Sequence, residues 1–252
     1  MKMIIGIFIG MAALSHAAEA RDLASIRKDG SIRIATEGAT PPFNYFKDGK
    51  LTGFDVDLGT ALAGKMGVKA EWKALSFDTL LVGLGQDRFD LVIAGHGITP
   101  ERSAAVDFST PYLCSGAVIV ARAGGPTTEA ELRDKTVGVQ TGTTYLTAIR
   151  KVDGVGEIKT FPKDTDALQN LINKRTDAWV SDKITALDAA NKNQAANLQI
   201  GDMLFVEQYG MAIAKGNGEL LAAVNEAFSA LLTDGTYAKI SKSYFERDVR
   251  CH

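Results

Sequence analysis

A chain of 252 residues that is 46% hydrophobic and 23% charged has the composition of a packed globular protein, which excludes disordered, collagenous and coiled-coil chains. Its 28 Lys and Arg against 30 Asp and Glu leave a formal net charge of −2, so no general attraction to nucleic acid or an anionic membrane is expected. The length suits one large domain or two small ones, with two favoured.

Lys2, an apolar run from Met3 to Leu14 and the small residues Ser15, Ala17, Ala18 and Ala20 read as a secretory signal peptide over residues 1–20. The run is too short for a membrane anchor, and no later stretch approaches the ~20 apolar residues a span requires. Cleavage fits after Ala17 and after Ala20; Ala20 is chosen. Because no cysteine lies at the cleavage site, the mature protein is expected free in the periplasm rather than lipid-anchored. Export permits a disulfide, and the two cysteines, Cys114 and Cys251, are either one bridge or two unrelated thiols.

Past the leader, residues 23–28 predict a short helix and the alternating residues 31–35 a strand. A turn-rich stretch containing Pro41 and Pro42 then leads to a helix that runs to Met66, with Asp55 as its expected N-cap. A strand at 68–73, a helix at 78–86, a buried strand at 90–94 and a helix opening at Thr99 follow. An apolar strand at 116–121 and a Gly124-Gly125-Pro126 break introduce a second series. Its strands fall at 136–140, 157–161 and 178–180, and its helices at 145–151, 164–174 and 184–191. A last strand at 210–214 precedes helices at 219–232 and 237–244. This alternation predicts mainly parallel α/β sheets in two similar lobes, with ligands bound beyond the carboxyl ends of the strands.

Thr99 and Pro100 suit the first turn of a helix, so free N–H groups and the Arg102 guanidinium converge where a small anion would be held. The alternative is a surface Arg102 paired with Glu101 or Asp107. The segment Gln140-Thr141-Gly142-Thr143-Thr144 has the same strand–turn–helix placement. Its hydroxyls and turn N–H groups suit the other side of the same carboxylate, or act as plain caps. Asp182, just past a strand, suits a ligand ammonium or caps the next helix. No nucleophile elbow, P-loop, dinucleotide fingerprint or Cys-x-x-Cys is present. The histidines are His16, His96 and His252. They make no His-rich metal site, so neither metal nor cofactor is expected, and His96 is read as lining a cleft.

Several segments together resemble the periplasmic solute-binding proteins of ABC importers for polar amino acids, similar to those for glutamine, histidine and lysine-arginine-ornithine. They are Pro42-Phe43, Gly53-Phe54-Asp55-Val56-Asp57-Leu58, Ile98-Thr99-Pro100-Glu101-Arg102, Val106-Asp107-Phe108-Ser109, Gly138-Val139-Gln140-Thr141-Gly142-Thr143-Thr144, Asp177-Ala178, Asp182, Tyr209-Gly210 and Asp234-Gly235-Thr236-Tyr237. The resemblance runs from about residue 31 to 249 and implies a type II periplasmic-binding-protein fold, two α/β lobes joined by two hinge strands. Residues 21–115 and 211–252 would form lobe one and 116–210 lobe two, closing over one ligand.

Position by position, the resemblance implies that Arg102 binds the ligand α-carboxylate with help from main-chain N–H groups at Thr144. Asp182 and the Gly95 carbonyl would take the α-ammonium, Phe77 would wall the side-chain pocket, and Glu37 would stand near the ligand as an acid. The chain departs from the family at Thr40, where many members have an aromatic, and at Gly97, where many have a hydroxyl. Both changes remove bulk. The ligand is accordingly read as a plain, possibly basic, polar amino acid first, and as an opine or other amino-acid conjugate filling the vacated space second. The implied partners are ABC permease membrane subunits, and the receptor is expected to be a monomer that binds no nucleic acid. A cyclohexadienyl-type dehydratase on the same fold is the rival from another class; it would need a general acid, for which Glu37 and His96 are the candidates. No catalytic residue is assigned.

Overall fold

The computed structural model describes residues 20–251. The leader read over residues 1–20 therefore lies, up to residue 19, outside the described residues, as do His16 and His252.

Asp22 opens α1 (Leu23–Asp29) by accepting from the Ser25 N–H at 2.8 Å, and Gly30, with a φ of 69°, ends it in the left-handed region. After β1 (Ser31–Thr36), the turn-rich stretch folds into a three-stranded meander of β2 (Ala39–Thr40), β3 (Asn44–Lys47) and β4 (Lys50–Thr52), strands the sequence pattern did not reveal. The following α2 (Phe54–Lys65) is capped at Gly53, not at Asp55. Gly53 has a φ of 124°, and a Cβ there would lie 2.3 Å from the Phe43 carbonyl oxygen, so only glycine fits the entry to this helix. Asp55 is instead buried inside the helix start, where its carboxylate accepts from Asn44 Nδ2 at 2.8 Å and from the Tyr112 hydroxyl at 3.1 Å.

The first lobe continues with β5 (Lys69–Ala74), α3 (Phe77–Gly85), β6 (Leu91–Val92), α4 (Pro100–Ala105) and β7 (Val106–Phe108). The chain then crosses to the second lobe through β8 (Leu113–Arg122) and builds β9 (Thr136–Gln140), α5 (Thr144–Ile149), β10 (Glu157–Phe161), α6 (Asp164–Ile172), β11 (Ala178–Asp182) and α7 (Lys183–Lys192). It returns through β12 (Leu198–Tyr209) to β13 (Ala212–Ala214), α8 (Gly218–Thr233) and α9 (Thr236–Phe245). The two sheets have the orders β5-β1-β6-β13-β7 and β10-β9-β11-β8-β12.

Each sheet is half parallel and half antiparallel, not mainly parallel. In the first, β1 runs parallel to β5 and β6 while β13 opposes β6 and β7; in the second, β9 runs parallel to β10 and β11 while β8 opposes β11 and β12. The antiparallel halves are made by the strands that flank the two crossings, because the chain there enters each sheet from the opposite end. β12, which the sequence pattern did not reveal, lies along β8 from Leu198 beside Arg122 to Tyr209 beside Leu113. It is an edge strand in which Asp202 and Glu207 confine the apolar run to Met203-Leu204-Phe205-Val206, too short to mark twelve residues as one strand.

Alternation divides the cores. On β8, Ile119 joins Val137, Val139 and Val180 on one face of the second sheet, while Val118 and Val120 join Trp179 on the other. In the first lobe Ile34, Leu91 and Ile213 pack with Phe54, Leu58 and Phe228, and Ala35, Val92 and Ala212 pack with Leu80 and Phe89. Each such fully buried large side chain contributes about 1.5–3 kcal/mol.

Cys114 at the start of β8 is bonded to Cys251, 137 residues away, and the Val249 carbonyl accepts from the Cys114 N–H. Chain entropy gives a loop of this length about 4–5 kcal/mol of stabilisation. Reduction is therefore expected to lower the thermal unfolding midpoint. Mass after alkylation without reductant should show no modified cysteine, and two alkylated thiols in unreduced protein would contradict the bond.

Candidate functional site

The ends of β1, β6, β9 and β11 converge on a cleft between the lobes with an empty volume of about 450 Å³. Thr40, Phe43, Phe77, Ala94, Gly95 and Arg102 line it from the first lobe, and Gln140, Thr143, Thr144, Tyr145, Asp164, Ser181 and Asp182 from the second, with Tyr209 at the end of β12. Among the described residues no group of three or more His, Cys, Asp or Glu side chains is placed to hold a metal ion.

Thr99 caps α4 by accepting from the Arg102 N–H at 3.2 Å, with Pro100 in the first turn. This places the Arg102 side chain across the cleft. Its Nη1 donates to the Gly97 carbonyl and its Nη2 to the Gly142 carbonyl of the opposite lobe, each at 2.9 Å. Asp107, a candidate alternative partner, is paired with Lys215 at 2.7 Å instead. Burial lowers the Arg102 pKa, with the nearby Glu207 acting the other way. The guanidinium spends its two hydrogen bonds on neutral carbonyls and feels Glu207 only at longer range, so it keeps donors for an incoming carboxylate. Opposite it, Thr143 caps α5 by accepting from the Leu146 N–H, leaving the Thr144 end of that helix directed at the same region.

Asp182 combines the two roles its position allowed. Its Oδ1 caps α7, accepting from the N–H groups of Ile184 at 2.7 Å and Thr185 at 3.1 Å. Its Oδ2 accepts from the Tyr209 hydroxyl at 2.7 Å, and Tyr209 in turn lies 2.7 Å from the Tyr145 hydroxyl. Burial raises its pKa against these hydrogen bonds. Glu37 also spans the lobes: Oε1 accepts from Gln140 Nε2 at 2.6 Å and Oε2 from the Thr40 hydroxyl at 2.5 Å. Burial pushes Glu37 up to about 7, from an ordinary value of 4.5.

Sequence reasoning missed Ala94, Tyr145, Asp164 and Ser181 as lining residues, and had Phe43 and Tyr209 only as parts of motifs. Asp164 matters most. It opens α6 just past the end of β10, the same placement that drew attention to Asp182, so that signal was present. Its oxygens accept from Trp179 Nε1 at 2.8 Å and the Ser181 hydroxyl at 2.6 Å, and burial pushes it up to about 6.

Two expected residues are placed elsewhere. His96 is only 2% exposed, and its ring stacks on Phe77 with centroids 4.2 Å apart, so it supports the wall of the cleft without lining it. Burial lowers its pKa well below the usual value. Gly97 is not on the cleft surface, and the room its missing side chain was expected to leave is filled. A Cβ there would lie 1.9 Å from Glu207 Oε2, and that carboxylate accepts from the Thr144 hydroxyl at 2.9 and 3.1 Å. Glu207, on the returning strand, was not foreseen, and burial pushes it up to about 7. Glu207 thus leaves no room at Gly97 to enlarge the pocket.

Two α/β lobes joined by two strands, with an under-paired cation and several carboxylates in the space between them, define a protein that closes on a small charged solute. A profile of the bacterial extracellular solute-binding proteins, family 3, matches residues 32–247, and the chain belongs to that family. It is 36% identical over 252 residues to the L-cystine-binding protein TcyJ of Escherichia coli, covering 98% of this chain and 94% of that protein. Among solved structures it is similar to an ancestral arginine-binding protein bound to arginine, with a TM-score of 0.83 and 41% identity over 86% of this chain and 98% of that one. The ancestral amino acid-binding protein AncCDT-1, a precursor of cyclohexadienyl dehydratase, also has a TM-score of 0.83, at 36% identity over 88% of this chain and 99% of its own.

Glu37, Asp164 and Glu207 hold their protons more tightly in the folded chain than their ordinary values of 4.5, 3.8 and 4.5 would allow unfolded. The native state thus binds more protons, and stability falls as pH rises through the window between those values and about 7. The unfolding midpoint of ligand-free protein, followed by calorimetry across this window, is expected to fall, and to fall less steeply in Glu37→Gln. A midpoint that climbs over the same range would contradict the burial of these carboxyls.

Proposed function

We propose that this chain is a periplasmic receptor that closes its lobes on an amino acid with an amine-bearing polar side chain and delivers it to the permease subunits of an ABC importer. One observation carries the reading: Arg102 is the single cation among the residues that line the cleft, and three carboxylates, Glu37, Asp164 and Asp182, stand in or against that lining. The ligand α-carboxylate would go to Arg102 and the Thr144 end of α5. Its ammonium would go to Asp182 and the Gly95 carbonyl, and its side-chain amine would run along Phe77 toward Glu37 and Asp164. The named ligands of the relatives, cystine and arginine, support an amine-bearing ligand. In this reading residues 21–115 and 211–252 make lobe one, residues 116–210 make lobe two, and the leader is removed on export. The receptor acts as a monomer without nucleic acid.

Catalysis is not part of the proposal. The two general-acid candidates for a dehydratase of cyclohexadienyl acids are both engaged, Glu37 through hydrogen bonds to both oxygens and His96 by stacking on Phe77. Release of an aromatic product from a cyclohexadienyl acid by the purified protein would overturn this.

Removing one partner from a buried charge pair costs about 2–5 kcal/mol, about 30-fold or more in affinity. Titration calorimetry of ligand-stripped protein with the standard amino acids is expected to show tight binding of a basic or amine-bearing one. Arg102→Ala and Asp182→Ala should each lose at least that factor. Unchanged affinity in both variants would mean that the cleft is wrongly assigned.

A further inference from the structure

Arg102, Thr143 and Thr144 line the cleft and also a broad groove between the lobes, which Glu207 borders without being part of the cleft lining. Thr143 is already committed, since its hydroxyl donates to the Gln140 carbonyl and accepts from the Leu146 N–H. Thr144 thus carries the hydroxyl at the start of α5 that remains for a ligand carboxylate held at Arg102.

That hydroxyl faces Glu207, its oxygen 2.9 Å from Oε2 and 3.1 Å from Oε1. An ionised carboxylate can only accept, so it takes the single hydroxyl hydrogen and leaves Thr144 with nothing but lone pairs to offer a second carboxylate. A protonated carboxyl reverses the bond: its O–H donates to Thr144 Oγ1, and the hydroxyl hydrogen is free to turn to the cleft. Arg102 responds in the same sense, because the charge of Glu207 offsets that of the guanidinium only while the carboxyl is ionised. Burial pushes Glu207 up to about 7, against the Thr144 hydroxyl, Arg102 and the Tyr145 hydroxyl, while Asp182 adds to the rise. The other charged groups around it are Glu101 of α4 and Arg150 and Lys151 after α5, which line the same groove, and Tyr209 on its own strand is a further titratable neighbour.

We propose that Glu207 is a positioning residue that sets the direction of the Thr144 hydroxyl and so couples capture of the ligand carboxylate to uptake of one proton. The proton comes from solution by way of the groove, on which Glu207 is partly exposed. It forms an O–H bond on Glu207, the hydrogen bond to Thr144 reverses, and no covalent bond of ligand or protein breaks. Affinity therefore falls as pH rises through the titration of Glu207. Glu37 and Asp164 act in the opposite sense, because a ligand cation favours their ionised forms and releases protons. This rests on the receptor reading above and adds a residue to its carboxylate end.

The test is titration calorimetry of ligand-stripped protein with the standard amino acids, L-arginine and L-lysine first, at about pH 6 and about pH 8, in buffers of unlike ionisation heat so that exchanged protons are counted. Parent and Glu207→Gln are compared, so that titration of the ligand, of Glu37 and of Asp164 is common to both. The Gln amide donates to Thr144 at every pH. Glu207→Gln should therefore match the parent at about pH 6, bind about three- to tenfold tighter than it at about pH 8, and take up as much as about one proton fewer. Thr144→Val, close in shape but with no hydroxyl to redirect, should bind about three- to tenfold more weakly than the parent at about pH 6 and change less between the two pH values. Parallel pH profiles and equal proton counts for parent and Glu207→Gln, or a Gln variant weaker at both pH values, would overturn the role of Glu207 while leaving the amino-acid receptor standing, as would a Thr144→Val profile parallel to that of the parent. Failure of every standard amino acid to bind the parent would overturn the receptor reading and this inference with it.

Discussion

Arg102 leaves the first turn of α4 and donates to a carbonyl of its own lobe and to the Gly142 carbonyl of the other. Its charge is thus held in a largely buried gap with only neutral acceptors bonded to it, although attraction in such a medium is several times stronger than in water. Much of the cleft follows from this cation, whose nearby acid, Glu207, acts on it without a direct bond. In the proposed reading an entering anion gains a counter-charge already in position, and the guanidinium reaches both sides only while the lobes stay close.

The carboxylates complete the asymmetry. Glu37 bonds to Gln140 across the gap, so the two lobes touch through one acid as well as through one base. Burial weakens the ionised form of Glu37, Asp164 and Asp182 alike. In the proposed reading a cationic ligand group reverses that effect by offering each a partner, because the desolvation that disfavours a lone carboxylate strengthens its pairing with a cation.

The returning strand links this chemistry to the hinge. Glu207 on β12 reaches the Thr144 hydroxyl in the second lobe and fills the space beside Gly97 in the first, while the Gly97 backbone bridges to Tyr209 on the same strand. A larger side chain at position 97 would displace that carboxylate. At the opposite crossing, the disulfide fastens the C-terminal segment to the start of β8, so both connections between lobes are anchored close to the cleft.

Local sequence was enough for the α/β alternation, the helix openings at Thr99 and Thr143, and the placement of Arg102 and Asp182 past strand ends, because caps and strand ends are short-range features with recognisable residue types. The segments resembling polar amino-acid receptors added the two-lobe architecture and the expected ligand polarity. Tertiary structure alone decided the antiparallel halves of both sheets, which depend on where the chain crosses between lobes. It also decided the burial of Asp55 against Asn44 and Tyr112, and the use of the Gly97 space by Glu207, 110 positions later in the chain. Asp164 belongs to both groups: its place at a helix start was legible, but its bonds to Trp179 and Ser181 in the cleft wall arise from packing α6 against β11. Side chains so distant in sequence share no local pattern, and only the folded arrangement brings their charges together.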